Sequence, residues 1–282
     1  MTGFLDPPSR AIRLRPRPAL VLTVAAVLGL VMFCWPLFAH PAPSVSAHTA
    51  DAPFVFMVTL PVLILVVLAE LSRGGIDAKA LALLGVLSAV NAGLRPLGAG
   101  TGGIELVFFL LVLAGRVFGP GFGFVLGSTS LFTSALLTAG VGPWLPFQML
   151  ASSLIGLGAG LLPRARGKAE IALLVAYGVV AAYFFGLLMS LWSWPFLAGT
   201  SLSGATAGLG YVPGAPLLDN LHRFAVFTVL TSTLGWDTGR AITNAVAIVL
   251  LGPAVLAVLR RAARRAAFDA PVVFDQAGAK RS

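Results

Sequence analysis

Apolar residues in this chain come in long continuous runs rather than in alternation with polar ones. Eight such runs cover about 19–39, 53–70, 78–94, 104–118, 119–139, 146–162, 169–193 and 240–259. Most approach the roughly 20 residues that a helix needs to cross a bilayer core. Continuous apolarity without a two-residue period excludes the strands of a barrel. The pattern therefore predicts an all-α, polytopic membrane helix bundle. From His222 to Arg260 the chain has 39 residues, about 58 Å if they formed one helix, nearly twice the bilayer core. A break is therefore expected at 235–239, with 222–234 folded near the outer surface and 240–259 spanning.

The stretch 98–163 is the centre of the pattern. Its three runs are separated by a charged glycine turn at 116–121 and by a rigid cap, VGPWLP, at 141–146. Small residues recur at intervals of four: Gly119, Gly123 and Gly127, then Ser152, Gly156 and Gly160. The helix at 78–94, with Asp77 as its expected N-cap, carries Ala78 and Ala82 and then Gly85, Ala89 and Gly93. In lipid no hydrophobic push brings helices together, so small residues that let backbones approach mark contact faces. Such a stripe either packs inside the bundle or docks a separate subunit.

Composition agrees with the runs. Hydrophobic residues make up 58% of the 282 and charged ones only 10%, against about 25% charged in a soluble domain. The net charge of +9 resembles a nucleic-acid signal until the charges are placed. Arg10, Arg13, Arg15 and Arg17 precede the first run, and Arg73 and Lys79 follow the second. Arg116 lies in the glycine turn, Arg164, Arg166 and Lys168 follow Pro163, and Arg260, Arg261, Arg264 and Arg265 close the last run. Alternate loops are basic, the positive-inside pattern. This implies a plasma-membrane protein with both termini cytoplasmic, and a basic tail that meets anionic lipid or a cytoplasmic partner rather than nucleic acid. Residues 19–39 read as an uncleaved helix, with a signal peptide cut after Val45-Ser46-Ala47 as the competing reading. Cys34 is the single cysteine, so no intramolecular disulfide forms. His40, His48 and Asp51 read as polar residues of a wet loop rather than as metal ligands.

The chemistry is sparse. The chain has no GxxxxGK[ST], GxSxG or HExxH and no paired aspartates for magnesium. Neither a metal nor a cofactor is expected, nor catalysis. What the topology gathers near the outer leaflet is Asn91, Arg95, Glu105, Trp144, Gln148, Trp236, Asp237, Arg240 and Asn244. Ionisable groups at that depth are costly unless they pair or line a wet cavity, and aromatic walls with a few polar groups describe a small-molecule pocket. Two plainer readings stay open: Asp237 and Arg240, three apart, as a local helix-end pair, and Trp144 as an interfacial anchor like Trp192 and Trp194.

The segment GGIELVFFLLVLAGRVFGPGFGFVLGSTSLFTSALLTAGVGPWLPFQML, followed far downstream by LGWDTGRAITNAV and a basic tail, resembles the substrate-binding S component of energy-coupling factor (ECF) vitamin transporters. The resemblance implies a six-helix substrate-binding core at 76–268. Residues 1–75 would add a basic N-terminus and two extra transmembrane helices, and 269–282 a short tail. It implies high-affinity capture of a vitamin from outside, and association with a T subunit and ABC-type ATPases that energise uptake. The family's AxxxA motif, which contacts the T subunit, matches Ala78 and Ala82, with Gly85 and Ala89 behind them. Its gating loop would be 95–103. The start Met1-Thr2-Gly3 lacks the amino terminus of metal-specific members. Cobalamin is the preferred ligand from the look of VGPWLPFQ and GWDTGR, with other vitamins or a nucleobase-like compound open. The rival readings are a self-sufficient secondary transporter and, behind it, an integral membrane enzyme.

Overall fold

The computed structural model describes residues 16–38, 78–98, 102–197 and 202–266, with 61, 62, 64, 65 and 69 between them. Among these residues every regular element is helical. Helix α1 is Pro16–Phe38 and α2 is Ala78–Leu94, which tightens into a 3-10 turn at Arg95–Gly98. Then come α3 (Val107–Phe118), α4 (Pro120–Leu137), α5 (Leu145–Leu161) and α6 (Gly167–Ser193). The last stretch is α7 (Leu217–Thr228), a π-helical segment at Val229–Asp237, and α8 (Thr238–Ala266). Five helices are long and apolar enough to cross a membrane: Pro16–Cys34, Ala78–Leu97, Pro120–Leu137, Gly167–Phe196 and Leu217–Ala266. The chain is thus a helical membrane bundle. The expected N-cap Asp77, the 45–47 cleavage site, His40, His48, Asp51 and the 269–282 tail lie outside the described residues, as does all but five positions of the 53–70 run.

Helix α3 is the axis of the bundle. All of its residues except Arg116 are buried, including Phe108, Leu111, Leu113 and Phe118. It begins at Val107 rather than 104, so Glu105 lies in the irregular segment that leads into the helix. Gly119, at φ +93°, reverses the chain from α3 into α4, and its N–H reaches Gly115 O at 2.9 Å. Pro120 then opens α4 with its φ already helical.

The small-residue stripes of α4 and α5 pack against one another. A Cβ on Gly123 or on Gly156 would overlap the other's backbone, and one on Gly127 would strike Ser152 and Ser153. One on Gly160 would strike Gly119 and Pro120. These are internal contacts. The stripe on α2 behaves differently. Leu84, Leu87, Ser88 and Asn91 turn inward, whereas Ala78, Ala82, Gly85 and Ala89 are exposed, and a Cβ on Gly85 or Gly93 would meet nothing within 4 Å.

Two expectations are corrected. The break at 235–239 does not occur: Leu217–Ala266 is one 50-residue helix, about 75 Å at α rise. The chain absorbs the irregularity by widening to π winding at Val229–Asp237. There the backbone N–H and side-chain hydroxyl of Thr238 both reach Thr233 O five residues back, the hydroxyl at 2.6 Å. Trp194 is not an interfacial anchor either. It is fully buried, its ring against Tyr211 (5.2 Å) and Phe224 (5.3 Å), and its indole donates to Leu209 O at 2.9 Å. The loop after α6 folds back over α7, and the same fold is held by Asn220, which donates to Val212 O at 2.9 Å. That cover buries Asn220 and Phe224 on one face of α7, while Leu217, Leu218, Asp219 and His222 stay exposed.

Candidate functional site

Two ionic clusters sit at the two ends of α3. At the Arg116 end, Arg116 Nε meets Glu170 Oε1 at 2.8 Å, and Arg260 Nη2 lies 2.7 Å from both Glu170 oxygens. Arg116 also donates to the carbonyls of Leu162 (3.0 Å) and Pro163 (2.9 Å). Glu170 thereby ties α3 and α8 to the first turn of α6, and Arg116 adds the α5–α6 turn. Lys79 Nζ caps the final carbonyl of α8, Ala266 O, at 3.1 Å.

At the other end the cluster borders a cleft of about 290 Å³, lined by Arg95, Pro96, Gly103, Ile104, Glu105, Ser134, Thr138, Gly140, Trp144, Trp236 and Arg240. Arg240, from the first turn of α8, is its fulcrum. Its Nε donates to Glu105 Oε2 at 2.6 Å and its Nη1 to Asp237 Oδ1 at 2.8 Å. The guanidinium also lies over the rings of Phe108 (5.7 Å) and Phe185 (5.0 Å), a cation–π arrangement that the dry setting strengthens. Asp237 is 1% exposed and is held from behind by Ser232, whose hydroxyl donates to Oδ2 at 2.9 Å. That bond spans five residues and exists because the segment winds as a π-helix. Gly186 on α6 leaves the space for this carboxylate, since a Cβ there would overlap it.

The chain before α3 is fixed onto the same place. Asn244 Nδ2 donates to Glu105 O at 3.3 Å and to Arg240 O at 2.8 Å. Gly103, at φ +82°, presses against the Trp236 carbonyl, where any side chain would collide, and Gly102 O approaches Gly239 in the same way. Arg95, beyond α2, donates through Nη2 to Gln148 Oε1 at 2.8 Å. Trp144 and Trp236 keep 40% and 45% of their surface exposed, although both line the cleft.

Of the nine residues singled out from the sequence, five line the cleft together: Arg95, Glu105, Trp144, Trp236 and Arg240. Asp237 and Asn244 stand directly behind them. Gln148 faces a neighbouring recess of about 500 Å³ that shares Trp144 and contains Trp192 and Ser232. Asn91 is the exception. It is wholly buried against α4, donating to Ser130 Oγ at 3.0 Å next to a Ser88–Thr129 hydroxyl pair. Its place on α2 is one turn below Arg95, so depth along the helix put it near the cleft while the helix face turned it away. The plain reading of Asp237 and Arg240 as a local i,i+3 pair holds as far as it goes. Glu105, 135 residues away in sequence, makes the pair a triad. Sequence reasoning missed Phe108, Phe185 and Gly186, and took in Ser232 only as part of the polar stretch 231–244, with no role of its own. Only Ser232 left a trace, a five-residue offset from Asp237 that ordinary helical spacing gives no reason to inspect.

Fold and site together define a membrane-embedded helical bundle with an open, charged and aromatic cleft at one end. The chain matches no family model, no curated protein and no solved structure.

Proposed function

We propose that this chain is a non-catalytic capture subunit, which binds a vitamin-like micronutrient at the outer face of the plasma membrane for ATP-driven uptake. The observation that carries this reading is the convergence of Arg95, Glu105, Trp144, Trp236 and Arg240, from four separate stretches of sequence, on one cleft. Charged groups are rare in a bundle of this composition, and their cost is accepted where a polar cavity needs them. The cleft belongs to the end reached by the Arg-poor loops, while Arg116, Arg164, Arg166, Lys168 and Arg260–Arg265 cluster at the other, so the positive-inside pattern orients the cleft outward. Both termini are then cytoplasmic.

The exposed stripe of Ala78, Ala82, Gly85 and Ala89 supports a partner. It is smooth, it is unused within the described bundle, and it is the position that the S-component resemblance assigns to the T subunit. The T subunit would bring the ABC-type ATPases. The test is native mass spectrometry of the full chain purified in detergent, looking for a retained small molecule, followed by co-purification with a T subunit. A retained vitamin-sized compound supports capture. An empty spectrum together with active transport by the chain alone in vesicles would instead favour a self-sufficient secondary transporter.

A further inference from the structure

We infer that the ligand of this cleft is a small planar acid: one or two fused aromatic rings carrying a carboxylate and, beside it, a hydrogen-bond donor. The inference rests on the capture reading and adds the ligand's chemistry to it.

Arg240 is satisfied, with Glu105 on one nitrogen and Asp237 on another. Arg95 is not. It gives one hydrogen bond to the neutral amide of Gln148, and no carboxylate of the described residues lies within salt-bridge distance of it. Its counter-charge at longer range is Glu105, which is already bonded to Arg240. A guanidinium has five N–H donors in a planar fork suited to a carboxylate, so the cleft presents a cation with donors to spare. The second feature is Glu105. Its Oε2 accepts from Arg240, while Oε1 accepts no hydrogen bond from the described residues, and the side chain is 21% exposed toward the cleft. An ionised carboxylate accepts only, so the complementary ligand group is an N–H or O–H.

Shape follows from the walls. Trp144 comes from the turn before α5 and Trp236 from the π-helical segment, and both indoles contribute to the cleft wall. Aromatic faces favour a flat partner in offset or edge contact. A volume of about 290 Å³ stands at the small end of ligand pockets, about 300–1,000 Å³. One or two fused rings fill it, and a corrinoid would stand mostly outside.

The test uses the full chain in detergent, stripped of retained ligand, with tryptophan fluorescence and calorimetry as readouts. The probes are indole-2-carboxylate, indole-2-carboxamide, benzothiophene-2-carboxylate, cyclohexanecarboxylate and cyanocobalamin. Indole-2-carboxylate is expected to bind about tenfold or more tightly than each of the next three, the worth of one charge-assisted hydrogen bond or one stacked ring. Arg95→Gln should bring the acid-to-amide ratio close to one, because the acid loses an ionic contact that the neutral amide never made. Because this is a ratio, partial loss of folded protein does not imitate it, and Arg95→Lys should restore part of the preference. Equal or tighter binding of the carboxamide, or binding of cyanocobalamin alone, overturns the planar-acid inference and leaves capture standing. No binding of any probe, with an empty native mass spectrum, overturns both.

Discussion

At the residue scale, Arg240 holds the cleft end of the bundle together. It is 7% exposed and Asp237, one of its two carboxylate partners, is 1% exposed, so the burial of Asp237 relies on the guanidinium beside it. Arg240→Gln would leave Asp237 charged and buried against Ser232 and Gly186. Breaking such a pair from one side costs about 3–5 kcal/mol. The expected outcome is a large loss of thermal stability in detergent, read by unfolding followed through tryptophan fluorescence. The double variant Arg240→Gln/Asp237→Asn removes both charges and should recover part of that loss. A double variant no better than the single one would mean that Arg240 acts through Glu105 or the Phe108 and Phe185 rings instead.

At the element scale, the π-helical segment is the device that needs explaining. A nine-residue π run is rare, and π turns concentrate at functional positions. Here the wider winding does two things at once. It sets Ser232 against Asp237, and it fixes the rotation of α7 relative to α8, so that Phe224 meets Trp194. Deleting Gly235 would return the segment toward α winding and swing α7 by about 100° around the helix axis. Far-ultraviolet circular dichroism should keep its helical amplitude while the near-ultraviolet signal of buried Trp194 is lost. An unchanged near-ultraviolet signal would show that α7 and the loop over it are docked by other contacts. That loop has its own pH signature. Burial pushes the Tyr211 phenol above its ordinary pKa of 10.0. A raised value in the folded state means that the neutral phenol supports the docked loop: the contribution is full below pH 10 and is lost as pH rises through the folded value. A difference absorbance titration against Tyr211→Phe should show one phenol ionising late.

At the scale of the whole molecule, the bundle is a short buried axis clamped by ions at both ends. Glu170 binds two arginines, one 54 residues before it and one 90 residues after it, Arg116 on α3 and Arg260 on α8. Glu170→Gln should cost about 2–3 kcal/mol, below the figure for a fully buried pair because Arg260 is 44% exposed. The loss should appear in thermal unfolding while ligand affinity at the far cleft holds. An equal loss of affinity would mean that the two ends of α3 move as one body.

Much of this was readable from the chain. Continuous apolar runs without a two-residue period dictate membrane helices, because backbone groups in lipid have to be satisfied within each segment. Charge placed at run ends dictates which residues share a depth, and that is why Arg95, Glu105, Trp144, Trp236 and Arg240 could be grouped before any fold was in view. Depth is a one-dimensional property, and sequence carries it. What sequence does not carry is the rotation of each helix about its axis, since in lipid both the inner and the outer face are apolar and no moment distinguishes them. Only tertiary packing decided that Asn91 turns to α4, that the small-residue stripe of α2 turns out while those of α4 and α5 turn in, and that Trp194 is covered. Winding is the other thing it decided. The residues from 229 to 239 hold enough Gly, Ser and Thr to suggest a break, yet they wind as a π-helix, in which Asp237 fits against Gly186, Gly239 meets the loop before α3 and the triad forms.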